Sequence, residues 1–162
     1  GLCGKASIGA VRTVSSHAVE HDPTHVEVLA LLRYPDLLRE RQEIFDSTGG
    51  LHAAGLFDNA TGALLVLRED VGRHNAVDKV VGWALTQGRL PLAGTTLQVS
   101  GRASFELVQK ASMAGIPVLS AVSAPSSLAV DLAVEVGLTL VGFVRGESLV
   151  IYSRPERVLP PR

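Results

Sequence analysis

Cysteine is nearly absent: Cys3 is the only one in 162 residues. A disulfide within the chain is therefore excluded, and a cytoplasmic compartment is the expectation, because disulfide frameworks belong to oxidising compartments. Aromatic residues are scarce, at 4%. Leu, Val and Ala must then fill the core, as they do in helix-flanked parallel sheets. Charge of one sign is also lacking, with a formal net charge of −1. Nothing in that balance favours DNA, RNA or an anionic membrane as a partner. No apolar run approaches the roughly 20 residues needed to span a bilayer. No secretory leader, internal repeat or low-complexity segment is legible. The chain starts at Gly1 rather than Met, as expected of a fragment or processed product from which an N-terminal region is missing.

At 46% hydrophobic and 19% charged, the chain is apolar enough to bury a substantial core, and its length predicts a single domain over 1–162. Residues 1–10 are small and glycine-rich and read as a flexible arm carrying Cys3. Pro35-Asp36 is expected to start a helix over Leu37–Phe45, which Thr48-Gly49-Gly50 ends. His52–Phe57 and Ala63–Leu67 read as a hairpin around Asp58-Asn59-Ala60-Thr61-Gly62. Alternation follows: helix 75–86, strand 95–99, helix 105–114, strand 117–122, helix 128–136, and closing strands 138–144 and 148–152. Residues 155–162, rich in Pro and Arg, are expected to be a disordered tail. Helix and strand alternation predicts a layered α/β fold with a parallel segment, and the hairpins at both ends predict a mixed sheet flanked by helices.

Chemistry concentrates between Arg68 and Lys79. Every residue there except Val71, Gly72, Ala76 and Val77 is charged, amide or imidazole. The segment joins a strand to a helix, where open α/β sheets bind anions and nucleotides. Two more strand-to-helix turns, Ser100–Ser104 and Ser123–Ser127, share its character. Right-handed crossovers would bring all three to one sheet edge, with hydroxyls, arginines and helix N-termini converging. Helix capping accounts for part of this pattern, but not for Arg68, Glu69, Arg73, His74 and Asp78 together. Helical spacing sets His74 beside Asp78, which could orient it, and Asn75 beside Lys79; a solvated pair is the alternative. Gly49-Gly50 before His52 suits either close approach of backbone to a ligand or a plain helix stop. Cys3 reads as a reactive thiol aided by Lys5 or as an incidental cysteine. His17, His21 and His25, with Glu20 and Asp22, raise a metal reading. Pro23 breaks the helix that would align them, and a solvated segment is the better fit.

Seven stretches occur in a familiar order: Gly-Leu-Cys-Gly-Lys from Gly1, Thr-Gly-Gly-Leu-His-Ala-Ala from Thr48, the Arg68–Lys79 run, Ser-Gly-Arg-Ala-Ser-Phe-Glu from Ser100, Ala-Gly-Ile-Pro from Ala114, Ser-Ala-Pro-Ser-Ser-Leu-Ala-Val from Ser123, and Gly-Phe-Val-Arg-Gly from Gly142. Together they resemble the formate dehydrogenase accessory sulfurtransferase family, FdhD, over nearly the whole chain. The resemblance implies a three-layer fold similar to cytidine deaminases, acting as a homodimer. It implies a carrier that takes persulfide sulfur from a cysteine desulfurase and passes it to the molybdenum cofactor, bis-molybdopterin guanine dinucleotide, for formate dehydrogenase. GDP or another guanine nucleotide would mimic that ligand. The family's cofactor-binding segment falls on Phe143, Val144, Arg145, Gly146, Glu147 and Ser148. Gly49, Gly50, His52, Arg68, Asp70, Arg73, His74, Asn75, Ser100, Gly101, Arg102 and Ser123 complete the expected cofactor surface, and Cys3 is the expected sulfur carrier. The family carries a Cys-x-x-Cys pair, of which Cys3 aligns with the second member; the first would precede Gly1. A chaperone that holds the cofactor without moving sulfur is the rival reading. Zinc and deamination are not expected, because Ala54 stands where a His-x-Glu motif after His52 needs a carboxylate, and no second cysteine is present.

Overall fold

The computed structural model describes residues 19–44 and 50–161. The apolar runs form the strands expected of them. After a two-residue strand β1 (Val26–Glu27) come β2 (His52–Asp58), β3 (Leu64–Asp70), β4 (Thr95–Val99), β5 (Val118–Ala121), β6 (Thr139–Arg145), β7 (Ser148–Ser153) and a short β8 (Val158–Leu159). Six of them form one mixed sheet in the order β3-β2-β4-β5-β6-β7, while β1 and β8 pair separately. Strand β2 is antiparallel to both β3 and β4; β4, β5 and β6 are parallel, and β7 returns antiparallel. Strands β3, β4, β5 and β6 therefore all end at the same edge, where β2 and β7 begin.

Helices cover both faces. On one lies α1 (Val28–Ile44); on the other lie α2 (Arg73–Thr86), α3 (Phe105–Met113) and α4 (Ser127–Val136). Alternation along each strand assigns the faces. Leu56, Leu97 and Leu140 pack with Ala76, Val80, Leu107 and Leu132 in the larger core. Phe57, Val118 and Val141 pack with Leu31 and Tyr34 of α1 in the smaller one. Local signals set the helix ends. Ser104 and Ser126 cap α3 and α4 by accepting the Leu107 and Ala129 N–H groups at 3.3 and 3.1 Å, and Gly137, at φ +76°, ends α4 in the left-handed conformation that glycine adopts at least cost.

Three sequence expectations are corrected. Helix α1 begins at Val28 rather than Leu37 and runs through Pro35. A proline inside a helix forfeits one hydrogen bond and crowds the preceding turn; here the buried stripe Leu31, Tyr34, Leu38 offsets that cost. Strand β3 extends through Arg68, Glu69 and Asp70, because these pair with Ala54, Ala53 and His52. The segment after Arg154 is ordered: Pro155–Arg157 forms a 3-10 turn, β8 pairs with β1, and Arg157 is buried. Of the histidine run, His17 lies outside the described residues, and His21 and His25 are exposed. Among the described residues, no group of three metal-ligating side chains occurs and no helix is long and apolar enough to cross a membrane.

Candidate functional site

The strand directions bring the three predicted turns to one edge. Asp70 ends β3, Val99 ends β4, Ala121 ends β5 and Arg145 ends β6, while His52 opens β2 and Ser148 opens β7. Gly50, His52, Arg68, Asp70, Arg73, His74, Asn75, Ser100, Gly101, Arg102, Ser123 and the hairpin from Phe143 to Ser148 all lie along it. Gly49 and Cys3 lie outside the described residues.

Backbone bonds lace the turns together. Ser100 Oγ accepts the Ala53 N–H at 2.9 Å, and Ser100 N–H donates to the Ala53 carbonyl at 3.1 Å. Ser123 N–H donates to the Gly101 carbonyl at 3.1 Å, and Phe143 N–H to the Ser123 carbonyl at 3.2 Å. A side chain at Gly101 would meet the His52 ring at 3.5 Å. Phe143 sits at φ +53°, in the left-handed region, beside a register shift in β6. A non-glycine residue held there stores strain of the kind that gathers at binding sites. Its neighbour Gly142 has no room for a Cβ, which would lie 2.9 Å from Pro125 Cδ.

Within the polar knot, Asp70 is the organiser. Its carboxylate accepts Gly72 N–H at 2.9 Å and Asn75 Nδ2 at 3.1 Å, and pairs with Lys79 Nζ at 2.9 Å. These donors, the Gly72 backbone first, hold its pKa down from 3.8 to about 2. Asp70 and Asn75 thus shape the turn. A depressed carboxylate adds stability that is complete above its unfolded pKa and disappears as pH falls through the folded one. The stability difference between the native chain and Asp70→Asn is therefore expected to hold steady down to about pH 4 and to shrink between about pH 4 and pH 2. Denaturant titrations across that range check it, and a difference unchanged at about pH 2 would refute the linkage.

Asp78 does not orient His74. It pairs with Lys110 of α3 at 2.6 Å, while His74 Nε2 lies 3.1 Å from Ser104 Oγ. Residues four apart on a helix are neighbours, but a lysine from the adjacent helix offers Asp78 a full charge. Arg68 donates to its neighbour's carbonyl, Leu67 O, at 2.8 Å. Arg73 has a buried Nε without a partner. Arg102 and Arg145 are exposed and pair with no carboxylate among the described residues. Gly72, the N-cap of α2, supplies no side-chain cap to the helix, and its own N–H is taken by Asp70. On the other face of the sheet, a cavity of about 140 Å³ opens between α1 and the same edge, with Arg39, Gln42, Ser100, Val122 and Arg145 among its walls. Arg39 is ion-paired with Asp36. Sequence reasoning missed Arg39 and Gln42; their three-residue spacing was the available signal, but it carries meaning only once α1 is known to cross the sheet.

Fold and edge define a class: a three-layer α/β protein with arginines, hydroxyls and backbone donors along one sheet margin. The model of the FdhD/NarQ family matches residues 1–159. The sulfur carrier protein FdhD of Mycolicibacterium paratuberculosis is 64% identical over 158 residues, covering 98% of this chain and 58% of that protein. That of Streptomyces avermitilis is 62% identical over 159 residues, covering 98% and 56%, and that of Sulfolobus acidocaldarius 48% identical over 158 residues, covering 98% and 60%. A crystal structure of a candidate formate dehydrogenase accessory protein from Desulfotalea psychrophila superposes with a TM-score of 0.77 at 31% identity, covering 89% of this chain and 61% of that one. The chain belongs to the FdhD/NarQ family. It spans less than two thirds of the length of each of these relatives.

Proposed function

We propose that this chain is the cofactor-holding part of a cytoplasmic sulfur carrier that serves formate dehydrogenase, working as a homodimer. The relatives' shared name, sulfur carrier protein FdhD, supports the sulfur role. The observation that carries the ligand is the sheet edge, along which Arg73, Arg102, Arg145 and a helix start without a side-chain cap are all set. Bis-molybdopterin guanine dinucleotide is a polyanion, and phosphates are held by arginine forks, hydroxyls and helix N-termini. Cys3 is the sulfur-bearing residue. Its thiolate attacks the terminal sulfur of a cysteine desulfurase persulfide, the desulfurase thiolate leaves, and Cys3 becomes the persulfide. A second thiol attacking the Cys3 sulfur then frees the terminal sulfur as sulfide for the metal and leaves a mixed disulfide.

Incubation with a cysteine desulfurase and free cysteine is expected to add the mass of one sulfur atom to the intact chain, removable by thiol reductant and abolished in Cys3→Ala. A chain that gains no sulfur yet binds a guanine nucleotide would favour a cofactor chaperone over a sulfur carrier.

A further inference from the structure

The opposite edge of the sheet, where β2 ends at Asp58 and β4 begins at Thr95, carries a cleft that the proposed function does not use. Its volume is about 360 Å³, the size of a small-molecule site. Three segments build it: the stretch before β1, the β2–β3 turn and the loop from α2 to β4. Hydrogen bonds tie them together. The Asp22 carboxylate accepts Thr24 N–H at 2.9 Å and, across 72 positions, Gly94 N–H at 3.0 Å. Asn59 N–H donates to the Gly94 carbonyl at 3.0 Å. The Asn59 side chain donates to Thr24 Oγ at 3.3 Å and accepts from Thr96 Oγ at 2.6 Å. A rim ordered before binding costs a ligand little entropy.

The charged groups in its walls are not tied in the same way. Asp58 and Arg89 both line the cleft, yet no ion pair joins them. Asp36 and Arg39, which line the cavity at the other edge, are paired. Asp58 Oδ1 accepts Ala60 N–H at 2.8 Å, which leaves its second oxygen for a donor. Arg89 lies over the Trp83 ring, 5.2 Å from the centroid, a contact that leaves the N–H groups of the guanidinium for an acceptor. Leu65, Pro91 and Leu92 add an apolar wall, and His25 stands exposed beside them. A phosphate drawn to Arg89 would also meet the like charge of Asp58, and a simple amine drawn to Asp58 would meet Arg89. A molecule carrying both charges satisfies both. We propose that the cleft binds a free α-amino acid with a small apolar side chain. Its carboxylate sits on the Arg89 guanidinium, its ammonium on the Asp58 carboxylate, and its side chain against Leu65, Pro91 and Leu92.

Amide chemical shifts of the 162-residue chain, followed during titration with L-alanine, test this. The Gly94 and Thr95 amides, in the cleft wall, are expected to shift to saturation. Propionate and ethylamine, each keeping one of the two charges, should bind about tenfold more weakly or worse, the loss of one charge-assisted bond. Arg89→Gln and Asp58→Asn should each weaken alanine by about the same factor. Asparagine keeps an acceptor for Ala60 N–H, and Arg89 is exposed, so both variants should fold, as unchanged amide spectra away from the cleft would verify. Pyrophosphate affinity at the opposite edge should be the same in both. The absence of a saturating shift overturns the site, as does alanine affinity unchanged in both variants. Propionate that binds as tightly as alanine reduces the cleft to an anion site and overturns the dipolar ligand. Alaninamide or N-acetylalanine binding as tightly as alanine would make a chain terminus the occupant and overturn the free amino acid.

Discussion

Arg157→Met is expected to lower the unfolding free energy by about 3–5 kcal/mol, since breaking a buried, fully bonded charge or stranding its partners costs that much. Arg157 is 4% exposed. Its guanidinium donates to the Gly137 carbonyl at 2.8 Å, to Thr139 Oγ at 3.1 Å, to the Asp22 carbonyl at 3.3 Å and to the Val19 carbonyl. Those acceptors belong to the first turn of the described residues, the end of α4 and the start of β6, so one side chain ties the segment before β1 and the segment after β7 to the sheet. Burial lowers its pKa, and the neighbouring Arg154 adds to the effect, yet an arginine keeps its charge at any ordinary pH. Methionine fills much of the volume but strands the carbonyls. Lysine does not rescue, because a single ammonium cannot reach acceptors spread across a planar fork. For a chain of this size the melting midpoint should fall by roughly 10 °C. Calorimetry or denaturant melts decide it, and a loss under about 1 kcal/mol would mean that water replaces the guanidinium without penalty. The site lies at the far edge of the sheet, so ligand affinity of the folded fraction should not change.

That same residue shows where sequence reading ends. A proline- and arginine-rich terminus reads as a solvated tail, and nothing in its composition says that Arg157 turns inward to meet carbonyls from 20 to 138 positions away. Strands β4 to β7 and helices α2 to α4 were legible because their signals are local: apolar β-branched runs, Ser104 and Ser126 as caps, Gly137 as a stop. Helix α1 was not, because Pro35 marks a helix start in most contexts and only the packing of Leu31, Tyr34 and Leu38 overrides it. The charged end of β3 looked like a turn, since Arg68, Glu69 and Asp70 suit solvent better than a sheet. On an edge strand they suit both. The convergence of three turns followed from strand direction alone. The pairing of Asp78 with Lys110 and the arrival of Arg39 and Gln42 at the edge depended on helix placement, which no spacing encodes.

The double variant Arg73→Ala, Arg102→Ala is expected to bind pyrophosphate or GDP on the order of a hundredfold more weakly than the native chain, since each charge-assisted bond to phosphate contributes about 1.5–3 kcal/mol. Arg73 stands in the first turn of α2, where its unpartnered, buried Nε points to a donor whose acceptor is a ligand. Arg102 lies in the β4 to α3 turn, fixed at its base by the bonds of Ser100 to Ala53 of β2 and of Gly101 to Ser123 in the next turn. Neither residue belongs to a core cluster, so the melting midpoint should move little, and that separates lost binding from lost folding. Affinity of the native chain should also fall with added salt, and the double variant should show a shallower dependence because fewer charges remain to be screened. Arg89 provides the control. It stacks over Trp83, 5.2 Å from the ring centroid, beyond the C-terminal end of α2 and away from the edge. If Arg89→Ala weakens binding as much as the double variant does, the ligand is held by diffuse positive charge, and the edge is not a site. If only the double variant weakens it, the two turns that carry Arg73 and Arg102 hold the ligand.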